Sequence, residues 1–339
     1  MKDFEPEIIS STLKNLEVPD SISLETSERE GEHGDVVGFT VVKEGGSYDR
    51  VEKVGGQTLK LEEGMRILGV LCERKAVKGF NGEIPDKVKS GDILDFIGGG
   101  GVVGRCISKF EELGEPYQVR FEGFLTDGNG EKVNVEDFSH TERDHREDWP
   151  ELIMVSGTRM DSGKTTLAAN IISELSDRGY RIGAAKLTGF TRQRDRLKME
   201  KYGALKSMDF VDAGILTTSI DTESVVEAGK NVLDRFSDEE FDAVVVELGG
   251  GLIGFDNVKE VLLEDEMVEN TVFSAVTVMD PVAAYGTIEL VGSERVDLFS
   301  GPATDTETGE SLVENAAGKP ALNGRKSYKE ITDMVEERL

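Results

Sequence analysis

Two patterns of hydrophobic and polar positions divide the chain. From Asp35 to about residue 126 the apolar residues come in short runs: VVGFTVV, DRVEKV, MRILGVLCE, GDILDFI, GVVGRCI and YQVRFEGFL. They are rich in Val, Ile and Phe and are separated by glycine-bearing turns such as Glu44-Gly45-Gly46 and Gly98–Gly101. Such runs read as half-buried strands with tight corners and predict a small all-β domain, barrel or sandwich. From Glu151 onward the runs become continuous and alternate with helical spacing. Leu152–Val155, Ile182–Leu187, Phe241–Leu248, Val272–Met279 and Arg295–Ser300 read as strands, and Ala321–Asn323 ends a further one. Lys164–Leu175, Arg192–Lys206, Thr222–Phe236, Val258–Leu263 and Tyr328–Leu339 read as helices. Alternating β and α predicts an α/β fold with a mostly parallel, doubly wound sheet covered on both faces. Residues 1–30 offer one short helix, Pro6–Leu16, and little for a core. The polar segment Asp127–Pro150 reads as a linker with room for one edge strand. The expected division is an extension at 1–30, a β-rich accessory domain at 31–148 and an α/β domain at 149–339.

The stretch Glu151–Ala169, ELIMVSGTRMDSGKTTLAA, carries the chemistry. A buried strand, a glycine-bearing loop and a helix follow one another, which is the setting a P-loop requires. Gly157 and Gly163 let backbone N–H groups approach phosphate oxygens, and Thr158, Asp161 and Ser162 complete the loop. Lys164 is placed to reach the β- and γ-phosphates, Thr165 to put its hydroxyl on Mg²⁺, and Thr166 to extend the cradle at the positive end of the helix. By contrast, no helix follows Gly98–Gly101, so those glycines read as a hairpin corner.

Parallel sheets present functional groups at the carboxyl ends of their strands. Besides the P-loop, two strands end in suitable residues: Lys186 in GAAKLTGF and Glu247 in VVVELGGG. Lys164, Lys186 and Glu247 are thus the catalytic candidates, with Thr165 and Glu247 as magnesium ligands. Arg192, Arg194 and Arg196 form either a clamp for an anionic group or a solvated helix face.

The GTxxxxGKTT pattern of Gly157–Thr166, the lysine of AAKLTG and the segment VVELGGGLIG resemble dethiobiotin synthetase and the related cobyrinic acid synthases, in the nitrogenase-iron-protein branch of P-loop proteins. The resemblance covers residues 150–325. The five residues between Gly157 and Gly163, where the usual motif has four, are a feature of that family. It implies that Lys186 helps hold the substrate, that Glu247 handles Mg²⁺ and that Asp212, in Asp212-Ala213, supplies a second metal carboxylate. Leu187 stands where the family has proline, and its members lack a β-rich N-terminal domain. The implied activity is ATP- and Mg²⁺-dependent activation of a small acidic metabolite by phosphoryl transfer. A nucleotide-dependent switch or chaperone-like NTPase, with the β domain binding a partner, and a small-molecule kinase are the alternatives. No NKxD guanine motif occurs, which points to ATP; Asn323 in KPALNG stands where a strand end could offer an amide to the base.

Composition narrows the setting. Among 339 residues, 67 Asp and Glu against 39 Lys and Arg give a net charge of −28. Such a surface repels nucleic-acid backbone, so nucleic acid is not an expected partner, and it suits life at high salt. There is no apolar run of ~18 residues, so no membrane span is expected. The two cysteines, Cys72 and Cys106, are far apart, read as buried thiols and fit a reducing cytoplasm. The histidines His33, His140 and His145 form no zinc pattern, and His140 and His145 read as exposed loop residues. The expected ligand is a small anionic substrate; a homodimer remains open.

Overall fold

A computed structural model describes residues 1–18, 21–139, 146 and 148–339. His140 and His145 lie outside the described residues, as does part of the expected linker. The chain forms two compact units: one comprises Met1–His140 with Thr191–Arg194 and Gly214–Thr217, the other the remainder.

The first unit is a barrel. Strands β1 (Val36–Lys43), β2 (Arg66–Leu71), β3 (Ile93–Gly98), β4 (Val102–Lys109) and β5 (Tyr117–Leu125) pair in the cyclic order β1-β5-β3-β4-β2, and β2 returns to β1. Among these five strands only the β4–β2 pairing is parallel. Alternate residues point inward, so Val37, Phe39 and Val41 meet Ile67, Leu94, Phe96, Val119 and Phe121 in one core. At Gly69 the wall closes so tightly that a Cβ would stand 2.2 Å from the Gly101 carbonyl oxygen. Gly98–Gly101 turns β3 into the antiparallel β4, a hairpin corner.

Residues 1–30 depart from the expected extension. Pro6–Leu16 is not a helix but a two-residue strand, Ile8–Ile9, followed by a short 3-10 turn. Strands Lys2–Phe4 and Ile22–Glu25 extend the sheet, and Phe4, Ile8, Leu13, Ile22 and Leu24 are buried. Pro6 and short apolar doublets favour strand pairing over a lone helix, whose nucleation is costly. Cys72 is buried, whereas Cys106 is only half-buried.

The second unit has an all-parallel sheet of six strands: β6 (Glu151–Gly157), β7 (Ile182–Thr188), β8 (Lys206–Asp209), β9 (Ala243–Leu248), β10 (Thr271–Thr277) and β11 (Leu298–Ser300). Their order is β8-β7-β9-β6-β10-β11. The apolar run of β6 is central, between β9 and β10, and Leu152–Val155 is fully buried. Helices α1 (Lys164–Asp177), α2 (Arg194–Lys201), α3 (Thr222–Asp234), α4 (Val258–Leu262), α5 (Asp265–Glu269), α6 (Pro281–Val291), α7 (Glu307–Ala317) and α8 (Tyr328–Glu336) complete it. Leu167, Ile171, Ile172 and Leu175 of α1 pack with Ile153, Val155, Val245 and Phe273 of the sheet and with Ile331 and Val335 of α8. The helix expected at Arg192–Lys206 ends at Lys201, since Gly203 turns the chain into β8, a polar edge strand. Just before β6, Trp149 is buried and its indole N–H donates to Asp234 at 2.7 Å.

Candidate active site

The loop after β6 is built to hold its shape. Gly163 has φ +100°, a left-handed conformation suited to glycine, and Asp161 adopts φ +60° despite its side chain. Ser162 fixes the loop from inside: its hydroxyl donates to the Arg159 carbonyl at 2.9 Å and lies 2.6 Å from the Thr277 hydroxyl at the end of β10. A Cβ at Gly157 would stand 2.4–2.5 Å from those same hydroxyls, so only glycine fits there. Helix α1 begins at Lys164 and directs its free N–H groups and positive end toward the loop. Lys164 folds back over the loop, donating from Nζ to the carbonyls of Arg159 and Gly250 at 2.8 Å each. Both partners are neutral, so burial depresses its pKa, with only partial relief from Glu247.

Glu247, at the end of β9, is 2% exposed and accepts from the Thr165 hydroxyl at 2.9 Å through Oε1. Its Oε2 is buried without a hydrogen-bond partner. Burial and the nearby Asp195 raise the pKa of Glu247 against the opposing pull of Lys186 and Lys164. A buried carboxylate oxygen left over beside a P-loop hydroxyl is a donor set that fits Mg²⁺. Among the described residues no group of three or more His, Cys, Asp and Glu side chains is arranged to hold a metal by itself. Magnesium here would take part of its shell from phosphate and water, as it commonly does.

Lys186 is 6% exposed and stands in register with Glu247 on one side and Asp209 on the other. Its ammonium forms an ion pair with Asp195 at the start of α2. Burial would lower its pKa, but Asp195 and Glu247 outweigh that and leave it raised. Asp195 is the residue that sequence reasoning missed. It lies within TRQRDRLK, a stretch whose three arginines dominate its charge.

Asp212 follows Asp209 in a turn. It lies beyond the edge strand β8, where its carboxylate accepts from the Asp209 amide at 2.9 Å and closes the turn. The arginines do not form a clamp. Arg192 belongs to the barrel unit, where it donates to the Tyr48 hydroxyl at 3.0 Å and lies over its ring. Burial would raise the Tyr48 pKa, but Arg74, Arg192 and the Gly99 N–H together bring it down to about 8. Arg196 lies along α2, bonded to Glu200 and Ser207. The amide of Asn323 is taken up by its own loop, donating to Thr304 and Asp305 and accepting from the N–H groups of Arg325 and Lys326. It has no bond left for a base edge.

The chain has an α/β fold of P-loop type, with a parallel sheet and a β-rich N-terminal region. No known family of sequences matches it, and no curated protein is similar to it at the level of sequence. Among solved structures it is similar to the hydrogenase maturation factor HypB from Archaeoglobus fulgidus: 16% identity and TM-score 0.39, over 56% of this chain and 89% of that one. It is also similar to the signal recognition particle 54 kDa protein from Aeropyrum pernix K1 in complex with GDP: 16% identity and TM-score 0.35, over 60% of this chain and 54% of that one. FtsY from Mycoplasma mycoides is similar at 16% identity and TM-score 0.37, over 53% of this chain and 61% of that one. No helix among the described residues is long and apolar enough to cross a membrane.

Proposed function

We propose that this protein binds and hydrolyses a magnesium nucleoside triphosphate and uses the reaction as a switch, with the barrel unit serving a partner. The observation that carries the nucleotide reading is the Thr165–Glu247 pair, with the unpartnered Glu247 Oε2 beside the loop. Lys164 would leave two neutral carbonyls for phosphate oxygens, and the N–H groups at the start of α1 would receive the anion. Magnesium, when bound, would neutralise phosphate charge and orient the β- and γ-phosphates. Thr165 and Glu247 would hold it.

The ion pair between Lys186 and Asp195 favours the switch over the ligase. An ammonium already paired with a carboxylate holds an anionic acceptor only after that carboxylate is displaced, which costs desolvation on both sides. Asp195 also follows directly on Thr191–Arg194, a segment counted with the barrel unit. There Glu52, fully buried, accepts from the N–H groups of Gln193 and Arg194 at 2.7 and 3.1 Å. Asp195 is joined to that segment by the Arg194–Asp195 peptide bond, so a shift of Asp195 on nucleotide binding would be passed along the chain. The ATP-dependent activation of a small acidic metabolite is the second reading. It is favoured by the position of Lys186, in register with Glu247 at the sheet edge where phosphate would lie.

The test is nucleotide binding and phosphate release without any added acceptor. Wild type should bind a magnesium triphosphate and hydrolyse it unaided. Lys164→Ala should lose affinity or turnover by on the order of 10²-fold, because it removes a charge-assisted contact to phosphate. Equal binding and turnover in the variant would overturn the P-loop assignment. Turnover that appears only with a small carboxylate acceptor would move the ligase reading ahead.

A further inference from the structure

A pocket opens beside the phosphate loop, lined by Gly163 and Thr166 on one side and by Gly301, Asp305, Asn323 and Arg325 on the other. We propose that it selects guanine, through the carboxylate of Asp305. The inference rests on the nucleotide reading above and deepens it. The pocket adjoins the start of α1, so a nucleotide whose phosphates lie on the loop has its sugar and base directed here.

The loops at the ends of β11 and of the Ala321 bridge hold Asp305 in place. Asn323 uses its entire amide to do so. Nδ2 donates to the Thr304 carbonyl at 2.9 Å and to Asp305 Oδ1 at 3.0 Å, while Oδ1 accepts from Arg325 N and Lys326 N at 2.9 and 3.1 Å. Lys326 Nζ adds a bond to the Asp305 carbonyl at 2.8 Å. Asn323, 3% exposed, is therefore the positioning residue, and Asp305 is the exposed group it presents. No hydrogen bond to the second carboxylate oxygen of Asp305 is made by any described residue.

An ionised carboxylate only accepts hydrogen bonds. The Watson–Crick edge of guanine offers two adjacent donors, N1–H and the N2 amino group, which match a carboxylate. Adenine places the lone pair of N1 at the same position, where it faces negative charge. Sites built to bond a donor reject analogues lacking it strongly, because their polar groups are left unpaired. The expectation of ATP rested on the missing NKxD tetrapeptide. Here the carboxylate is held by a residue 18 positions away in sequence, so no contiguous motif reveals the arrangement.

The experiment is calorimetric titration of the full chain with the magnesium salts of GTP, ATP, ITP and xanthosine triphosphate. Wild type should prefer GTP over ATP by on the order of 10²-fold or more, and ITP, which lacks the N2 amine, should bind about tenfold more weakly than GTP. Asp305→Asn should lose GTP affinity and gain xanthosine triphosphate, whose C2 carbonyl can accept from the new amide. ATP bound as tightly as GTP by wild type, or an Asp305→Asn variant that folds and keeps its GTP preference, overturns the inference while leaving the nucleotide reading intact. Failure to bind any of the four sinks both. The wild-type series alone decides the matter if the variant does not fold.

Discussion

Lys186 and Glu247 stand in register on adjacent parallel strands, so their side chains leave the same edge of the sheet on the same face. Each is nearly fully buried, and each alters the protonation of the other: the lysine draws the glutamate pKa down against burial, and the glutamate helps hold the lysine pKa up. Asp209 stands in register on the far side of the lysine, and Asp195 pairs with its ammonium. Charges of both signs meet at this site, so removing one changes the protonation of its neighbours.

Lys186→Met keeps much of the stem and removes the charge. Triphosphate affinity should change less than tenfold, because in the proposed function Lys164 and the loop N–H groups would make the phosphate contacts. Turnover should fall by on the order of 10²-fold, since Asp195 and Glu247 would then repel each other and the γ-phosphate. Steady-state kinetics with binding measured separately checks this. An unchanged turnover number would show the ion pair to be structural only.

Glu247→Gln tests the magnesium site and has a signed consequence for stability. The folded pKa of Glu247 is raised, so its contribution to stability is fully present below the unfolded value of about 4.3 and is lost as pH rises through the folded value. At neutral pH the wild type bears the cost of an ionised buried carboxylate that glutamine avoids. The variant should be at least as stable as wild type at pH 7 without metal, and the advantage should shrink toward pH 4. Turnover should fall by on the order of 10²–10³-fold, and magnesium should no longer raise the melting temperature in the presence of nucleotide. Chemical denaturation at the two pH values, with and without Mg²⁺, measures both effects. A variant less stable than wild type at pH 7 that still responds to Mg²⁺ contradicts the assignment.

The barrel strands are legible because their runs are rich in Val, Ile and Phe and bounded by glycine turns, the central strands of the sheet because their apolar runs are continuous. VVGFTVV and FDAVVVEL could hardly be anything else. Short or polar elements were not: Lys206–Asp209 has one apolar residue, Met208, and is a strand only because β7 offers its edge. Helices α6 and α7 escaped for a different reason. PVAAYGTIELV carries apolar residues on its exposed side, Val282 and Tyr285 among them, which blurs the stripe that marks a helix. At the candidate site, the places of Lys164 at the start of α1 and of Glu247 at the end of β9 follow from spacing. The pairing of Asp195 with Lys186 and of Asp305 with Asn323 does not, because folding brings each partner in.

The acidic surface makes its own prediction. If a net charge of −28 is tolerated because salt screens it, removing salt should destabilise the fold. The Debye length is ~10 Å at 0.1 M and ~3 Å at 1 M, so carboxylates on neighbouring surface positions repel one another strongly only in dilute salt. The melting temperature should climb by several degrees between 0.1 and 1 M potassium chloride, and scanning calorimetry across that range checks it. A flat dependence would mark the composition as ordinary surface acidity.

Asp195→Asn separates charge from shape at the heart of the site. The asparagine keeps the size and a hydrogen-bond acceptor for Lys186 but removes the negative charge that helps raise the pKa of Glu247. With that charge gone, Glu247 should ionise at lower pH, while Lys186 keeps Glu247 and Asp209 as counter-charges. Turnover that depends on an ionised Glu247 should therefore persist to more acid pH, and the acid limb of its pH profile should move downward. The sign is diagnostic, since general loosening of the site would lower the rate at every pH without moving the limb. The pairing of Asp195 with Lys186 also bears on the switch. A weaker hold on α2 should alter the difference between nucleotide-free and nucleotide-bound forms, read as amide-exchange protection over Arg194–Lys201. An acid limb that stays in place or moves upward would mean that Asp195 does not act on Glu247, and the ion pair would then serve only to anchor the helix.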